Sequence, residues 1–184
     1  MQRISVLLFL LVVFTATAVQ AQAQAPKPDP ELKKLSVFVG HWTYEGETKP
    51  GPRGPGGKFT GEQDVRWILK GFYQETRVRE KGPAGEYQSL EIDGYDPANK
   101  TLTFAVYDDQ GGVVSGVESF SSGTTQTYSG KSVEGGKQYL IRGTVVFATD
   151  FLSFTWKGES STDGKAWIPA FEIKATKVQP APKK

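Results

Sequence analysis

Leu102-Thr103-Phe104-Ala105-Val106, followed shortly by Asp109-Gln110-Gly111-Gly112, sets the reading of this chain. Large apolar side chains at 102, 104 and 106 alternate with small or polar ones. Successive side chains of an extended chain point to opposite faces, so a period of two marks a strand with one buried face. The Asp-Gln-Gly-Gly segment behind it is turn chemistry, because glycine reaches the backbone conformations that tight turns need.

The same pair of signals recurs along the chain. Trp42 and Tyr44 alternate with Thr43 and Glu45. Further alternating runs are Val65, Trp67 and Leu69; Leu90 and Ile92; Tyr139, Ile141, Val145 and Phe147; Leu152, Phe154 and Trp156; and Trp167, Phe171 and Ile173. Between them lie Gly82-Pro83-Ala84-Gly85, Asp96-Pro97-Ala98-Asn99, Ser122-Gly123, Gly135-Gly136 and Asp163-Gly164, all turn sequences at hairpin spacing. A longer irregular loop over 50–57 separates the first two strands. The pattern predicts an all-β fold of about ten short strands, each with one buried and one wet face, which favours antiparallel pairing.

That many strands must dispose of their edges, and closing the sheet into a barrel does so. A two-sheet sandwich is the alternative, but nearly sequential hairpins favour an up-and-down antiparallel β-barrel. Gly61, Gly94, Gly116, Gly130 and Gly143 suit the bends of closure. Leu32, Leu35 and Val39 have helical spacing, so a short N-terminal helix is expected over Pro30–Val39, plugging one end.

The flanks read differently. Met1-Gln2-Arg3 precedes an apolar run from Ile4 to Phe14, broken only by Ser5, and then a series of alanines. This is the three-part pattern of a secretory signal peptide, too short for a comfortable membrane span. Cleavage is expected after Ala21 or Ala23, and a retained N-terminal anchor is the alternative. Residues 1–21 are thus assigned to the leader and 22–30, with prolines at 26, 28 and 30, to a disordered Pro/Ala/Gln linker. The barrel domain is placed at 31–178 and a disordered tail at 179–184. The expected location is the periplasm or the extracellular space, with no stable membrane insertion after cleavage.

Of 184 residues, removal of the first 21 leaves 163, enough for one domain with a hydrophobic core. There is no cysteine, so the domain must be held by packing rather than disulfides. Lys plus Arg number 22 against 20 acids, with no basic stripe, so nucleic acid is not an expected partner. Triads, cysteine nucleophiles and zinc sites are disfavoured by a composition with one histidine. Asp108-Asp109 and the acids from Asp93 to Asp96 lack calcium-loop spacing and read as turn residues. Arg77 and Arg79 share a face with Tyr73 and Glu75, expected to be solvated with local ion pairs.

Several segments together resemble a known family: Val39-Gly40-His41-Trp42, Trp67-Ile68-Leu69-Lys70-Gly71-Phe72, Gly94-Tyr95-Asp96-Pro97, Ser161-Thr162-Asp163-Gly164-Lys165-Ala166-Trp167 and Lys174-Ala175-Thr176-Lys177. In order and spacing they resemble a bacterial domain-of-unknown-function family with a lipocalin-like (calycin-like) β-barrel found in exported proteins. The resemblance implies a barrel fold and transfers no catalytic residue. A neighbouring group, the nitrobindin-like heme barrels, also opens on a glycine-x-tryptophan strand and holds iron through a histidine on a late strand. Here the last strands carry no histidine, and His41 precedes the inward Trp42 and should face outward. A tyrosine such as Tyr139 is the alternative iron ligand. No cofactor or metal is expected.

The remaining question is whether the barrel is full or hollow. The chain has 4 Trp, 7 Tyr and 11 Phe, many in the inward register, so a packed interior is one option. A dry, empty apolar void of about 300 Å³ would cost roughly 7 kcal/mol at about 24 cal/mol per Å³, against a domain stability of about 5–15 kcal/mol. A pocket therefore needs polar groups or a ligand. Gln74 and Thr76 alternate with Phe72 and Val78, and Ser115 follows Val113, which offers inward polar side chains. The expected function is non-catalytic binding of a small hydrophobic molecule against Trp42, Trp67, Phe104 and Trp156, oriented by Gln74 and Tyr139. One alternative is a small enzyme with Glu/Tyr acid-base groups, for instance Glu75 beside Tyr73, which requires acids such as Glu86, Glu91 or Asp93 to converge inside. The other is an envelope interaction protein with a packed barrel.

Overall fold

The computed structural model describes residues 25–51 and 54–179. The leader, the first part of the linker and most of the C-terminal tail lie outside the described residues. The first element among the described residues is a 3₁₀ helix, Pro30–Phe38. The Asp29 carboxylate accepts the Glu31 N–H at 2.9 Å, and proline occupies the first turn, where its missing N–H costs nothing. Three residues per turn put Leu32, Leu35 and Phe38 on one stripe. Leu32 and Leu35 are buried with Leu102, and Phe38 packs edge-on against Phe147 and Phe154.

Ten strands follow: β1 (Gly40–Thr48), β2 (Gly57–Ile68), β3 (Tyr73–Gly82), β4 (Gly85–Asp96), β5 (Thr101–Asp108), β6 (Val113–Phe120), β7 (Thr125–Glu134), β8 (Lys137–Phe147), β9 (Ser153–Ser161) and β10 (Ile168–Lys177). Each pairs antiparallel with its sequence neighbour, and β10 returns to pair with β1, so the sheet is a closed up-and-down barrel. The sandwich alternative is thereby excluded. The helix covers one end and is tied down through its carbonyls. Trp42 Nε1 donates to Phe38 O at 2.6 Å and Gln74 Nε2 donates to Leu35 O at 3.0 Å. Beneath the helix, Trp42, Phe147 and Phe154 form a tight aromatic cluster with ring centroids 4.9–6.3 Å apart. Among the described residues, the other end carries hairpin turns and loops.

Strand glycines make room as well as bends. Gly116 and Gly130 face each other across β6 and β7, where a Cβ on either would strike the neighbouring strand's carbonyl oxygen. Gly143 and Gly158, paired across β8 and β9, leave space that the phenol of Tyr128 and, at Gly158, the Phe171 ring fill. Pro169 sits at an irregularity in the β9–β10 ladder, a place that tolerates its missing N–H.

Several inward assignments made from sequence periodicity are corrected; Leu69, for one, is exposed in the turn after β2. On β4, Ser89, Glu91 and Asp93 take the inner face, while Leu90 and Ile92 take the outer. On β6, Val114 and Glu118 are inside, while Val113 and Ser115 are outside. Trp167 precedes β10, stacks with the Arg142 guanidinium at 4.2 Å and donates to Gly164 O. Leu152 is exposed in the turn before β9. Asp96, Asp108 and Asp163 do cap turns, accepting backbone N–H groups of the residues that follow, whereas Asp93 is a buried wall residue.

Candidate functional site

The barrel encloses a cavity of about 300 Å³. Its two walls differ in chemistry. Strands β1, β2, β9 and β10 contribute Tyr44, Phe59, Phe154, Trp156, Phe171 and Ile173. The Trp156 and Phe171 rings meet edge-on, 4.9 Å between centroids. Strands β3, β4, β6 and β7 contribute Gln74, Thr76, Glu91, Asp93, Glu118 and Gln126.

Hairpin geometry puts the acids there. The two-residue Pro83-Ala84 turn pairs Gly82 with Gly85, which sets Gln74 opposite Asp93 and Thr76 opposite Glu91. Opposed residues share a face, so the strand that points two polar side chains inward obliges its neighbour to point two carboxylates inward. Glu118 reaches the same wall from β6, two residues beyond Gly116, which pairs with Phe104, itself the partner of Asp93.

Burial dominates the electrostatics of this cluster. It pushes the Glu91 carboxyl up to about 7, a rise partly offset by its hydrogen bond with Asp93. Burial, with the charge of Glu91, pushes Glu118 up to about 8. Asp93 is held well above the usual carboxylate range by burial and by the charges of Glu91 and Glu118. Glu118 Oε2 accepts from Gln126 Nε2 at 2.5 Å, whereas Glu118 Oε1 is buried with no hydrogen-bond partner. Nearer the other end, Tyr44 Oη donates to Glu80 Oε2 at 3.2 Å, and burial raises both groups. Tyr87 is pushed up to about 12 by burial. Among the described residues, no lysine, arginine or histidine lines the cavity, and no group of three or more His, Cys, Asp or Glu is arranged to hold a metal ion.

Of the residues singled out from the sequence, Gln74, Phe104 and Trp156 line the cavity. The Gln74 amide N–H is engaged by the helix. Trp42 is fully buried in the aromatic cluster and Tyr139 is buried in β8, both outside the cavity lining; Trp67 packs under the helix with Leu32, Leu35 and Leu102. The Glu75–Tyr73 acid-base pair is not formed inside the barrel. Glu75 faces outward between Arg66 and Arg77, which bind it at 2.8 and 2.9 Å and hold its carboxyl below the usual range, led by the Arg77 hydrogen bond. Tyr73 is exposed. His41 is also on the outside, 2.9 Å from Asp64.

Sequence periodicity points Leu90 and Ile92 inward in place of Glu91 and Asp93, acids that only the enzyme alternative requires inside, and it does not single out Glu118, Gln126 or Tyr128. The Tyr128 ring stands edge-on between Phe104 and Trp156, and its hydroxyl accepts the Trp156 Nε1–H at 3.1 Å. Two signals were available for them: the Pro83-Ala84 turn, which fixes the register of β4, and the alternation of Gln126, Tyr128 and Gly130 along β7.

A family model described as "Protein of unknown function (DUF1579)" matches residues 27–176. No curated protein matches the chain. Among solved structures, the crystal structure of Rv2717c from M. tuberculosis is similar at 10% identity and a TM-score of 0.59, covering 83% of this chain and 100% of that one. A de novo designed fluorescence-activating β-barrel aligns at 11% identity and a TM-score of 0.41, over 78% of this chain and 96% of the design. The likeness to Rv2717c is one of fold.

Proposed function

We propose, for a chain that belongs to the family described as Protein of unknown function (DUF1579), that the barrel binds a small, largely apolar molecule without transforming it. The observation that carries this reading is the closed barrel around a cavity of about 300 Å³, at the lower end of ligand-pocket sizes of about 300–1,000 Å³. Phe154, Trp156 and Phe171 supply flat apolar contact, and Phe104 and Tyr128 close the site from the side. The space left between these rings counts against the packed-barrel alternative.

Trp156 lies in the cavity wall, so its fluorescence reports occupancy. Titration with a panel of fatty acids, pigments and aromatic metabolites should shift or quench emission for at least one class. Emission unchanged across the panel, together with no small molecule detected by mass spectrometry in protein purified from its native source, would remove the binding reading.

A second reading, a small acid-base enzyme, is favoured by one observation: Glu91 and Glu118, raised to about 7 and 8, meet inside the barrel. Carboxyls poised near neutrality are suited to proton transfer. At least one probe that binds would then be converted, and mass spectrometry of the incubated mixtures separates the two readings. We also propose that the chain is exported and its leader removed. The N-terminal sequence of protein recovered from its native source tests this.

A further inference from the structure

We propose that the ligand is a cation: a small molecule with a protonated amine or amidine head among Asp93, Glu91 and Glu118, and an aromatic or aliphatic body against Phe154, Trp156 and Phe171. This deepens the binding reading above and rests on it.

Charge balance is the first argument. Three carboxyl groups converge on one wall, and among the described residues no lysine, arginine or histidine lines the same space. Buried carboxylates without a counter-ion hold protons instead, which is why all three are shifted upward. A cationic guest removes that conflict by replacing the protons. Glu118 provides the second, independent argument. The residue is 7% exposed, and its Oε1 has no hydrogen-bond partner although Oε2 is engaged by Gln126. A buried acceptor of that kind is normally satisfied, and a donor brought in by a ligand satisfies it. The third argument is the opposite wall. Aromatic faces attract cations and accommodate the apolar remainder of the same molecule. A metal ion does not fit, because the acids are not arranged as a ligand set.

Matched probe pairs test the charge alone: 2-phenylethylamine against 2-phenylethanol, and longer arylalkyl ammonium ions against their alcohols, followed by Trp fluorescence and calorimetry on the intact protein. Each ammonium that binds should do so at least tenfold more tightly than its alcohol at pH 8. Its affinity should rise from pH 5 to pH 8 as the carboxyls lose their protons, and in that range binding should release protons, read from buffers of different ionisation enthalpy. Glu118→Gln and Asp93→Asn should each lower ammonium affinity about tenfold or more and lower alcohol affinity far less, so that the ammonium-to-alcohol preference collapses. The proton-release measurement needs no variant, so misfolding of either one leaves the test intact. Alcohols binding as tightly as the ammonium ions, or binding without proton release, would overturn the cation assignment while leaving a pocket for neutral molecules. If neither series binds and no other class in the wider panel does, the binding reading falls with it.

Discussion

Glu118 shows how one side chain couples the cavity to stability. Its carboxyl is raised to about 8 in the folded barrel, so the folded state holds a proton that the unfolded chain releases above its ordinary value near 4.5. From about pH 4.5 to 8 this favours unfolding as pH rises, because the folded state binds more protons. Glu118→Gln keeps the shape, keeps an acceptor for Gln126 and cannot ionise. The variant should therefore be more stable than the parent at pH 8, by on the order of 4 kcal/mol, and nearly equal to it at pH 4.5. Urea unfolding at the two pH values measures this difference; equal stabilities at pH 8 would mean that Glu118 ionises freely in the fold. Glu75 makes the contrast. It is also an acid on a strand, but its two arginine partners stand outside the barrel, and its carboxyl moves the other way.

At the scale of the elements, the number of strands, their sequential pairing and the N-terminal plug were legible because alternation and turn chemistry are local. The inner face of β4 was not. Leu90 and Ile92 are the apolar members of an alternating run, and the hydrophobic effect acting on that run alone would bury them. The register set by Pro83-Ala84 overrides it: Leu90 stands opposite Arg77 and Ile92 opposite Glu75, both on the outer face. Gln74 and Thr76 were already legible as inward from their own strand, and carrying that assignment across the turn yields Glu91 and Asp93. Gly116 and Gly130 were legible as special positions, but their mutual contact depends on the pairing of β6 with β7. The helix is similarly mixed. Its leucine spacing of three is visible, whereas its attachment through Gln74 and Trp42 to Leu35 O and Phe38 O is a tertiary matter. Leu35 is 1% exposed at the centre of that attachment. Leu35→Ala should cost about 2–5 kcal/mol, as removal of a buried leucine does. Hydrogen exchange in the helix and at the adjacent ends of β1 and β3 should rise more than at the far hairpins. Uniform loss of protection would show that the plug and the barrel unfold as one unit.

For the molecule as a whole, the ligand-free barrel faces a conflict between two sets of acids. The turn carboxylates Asp96 and Asp163 are held below their usual range by hydrogen bonds, those of Asn99 and of the Lys165 backbone foremost, and they stabilise the fold once ionised. Their contribution is lost as pH falls through the low carboxylate range. The cavity acids work in reverse. Glu91, Asp93 and Glu118 are raised, so their contribution is complete only below about pH 4 to 4.5 and is lost as pH rises toward 7 and 8. The other titratable groups facing that space are Tyr44 on β1, Glu80 on β3, Tyr87 on β4 and Tyr128 on β7, and none of these brings a positive charge; Glu159 on β9 turns its carboxylate outward to Arg142. Stability without ligand should therefore peak near pH 4–5 and decline up to about pH 8, with a slope of about 1.4 kcal/mol per pH unit for each proton by which the two states differ. Urea midpoints from pH 3 to pH 9 trace this curve. A guest that carries its own positive charge should flatten the decline, since it supplies the counter-charge the cavity wall lacks, whereas a neutral guest of the same shape should raise the whole curve and leave its slope in place. A ligand-free stability that climbs steadily from pH 4 to pH 8 would show that the three acids share the cavity in their charged, hydrated forms.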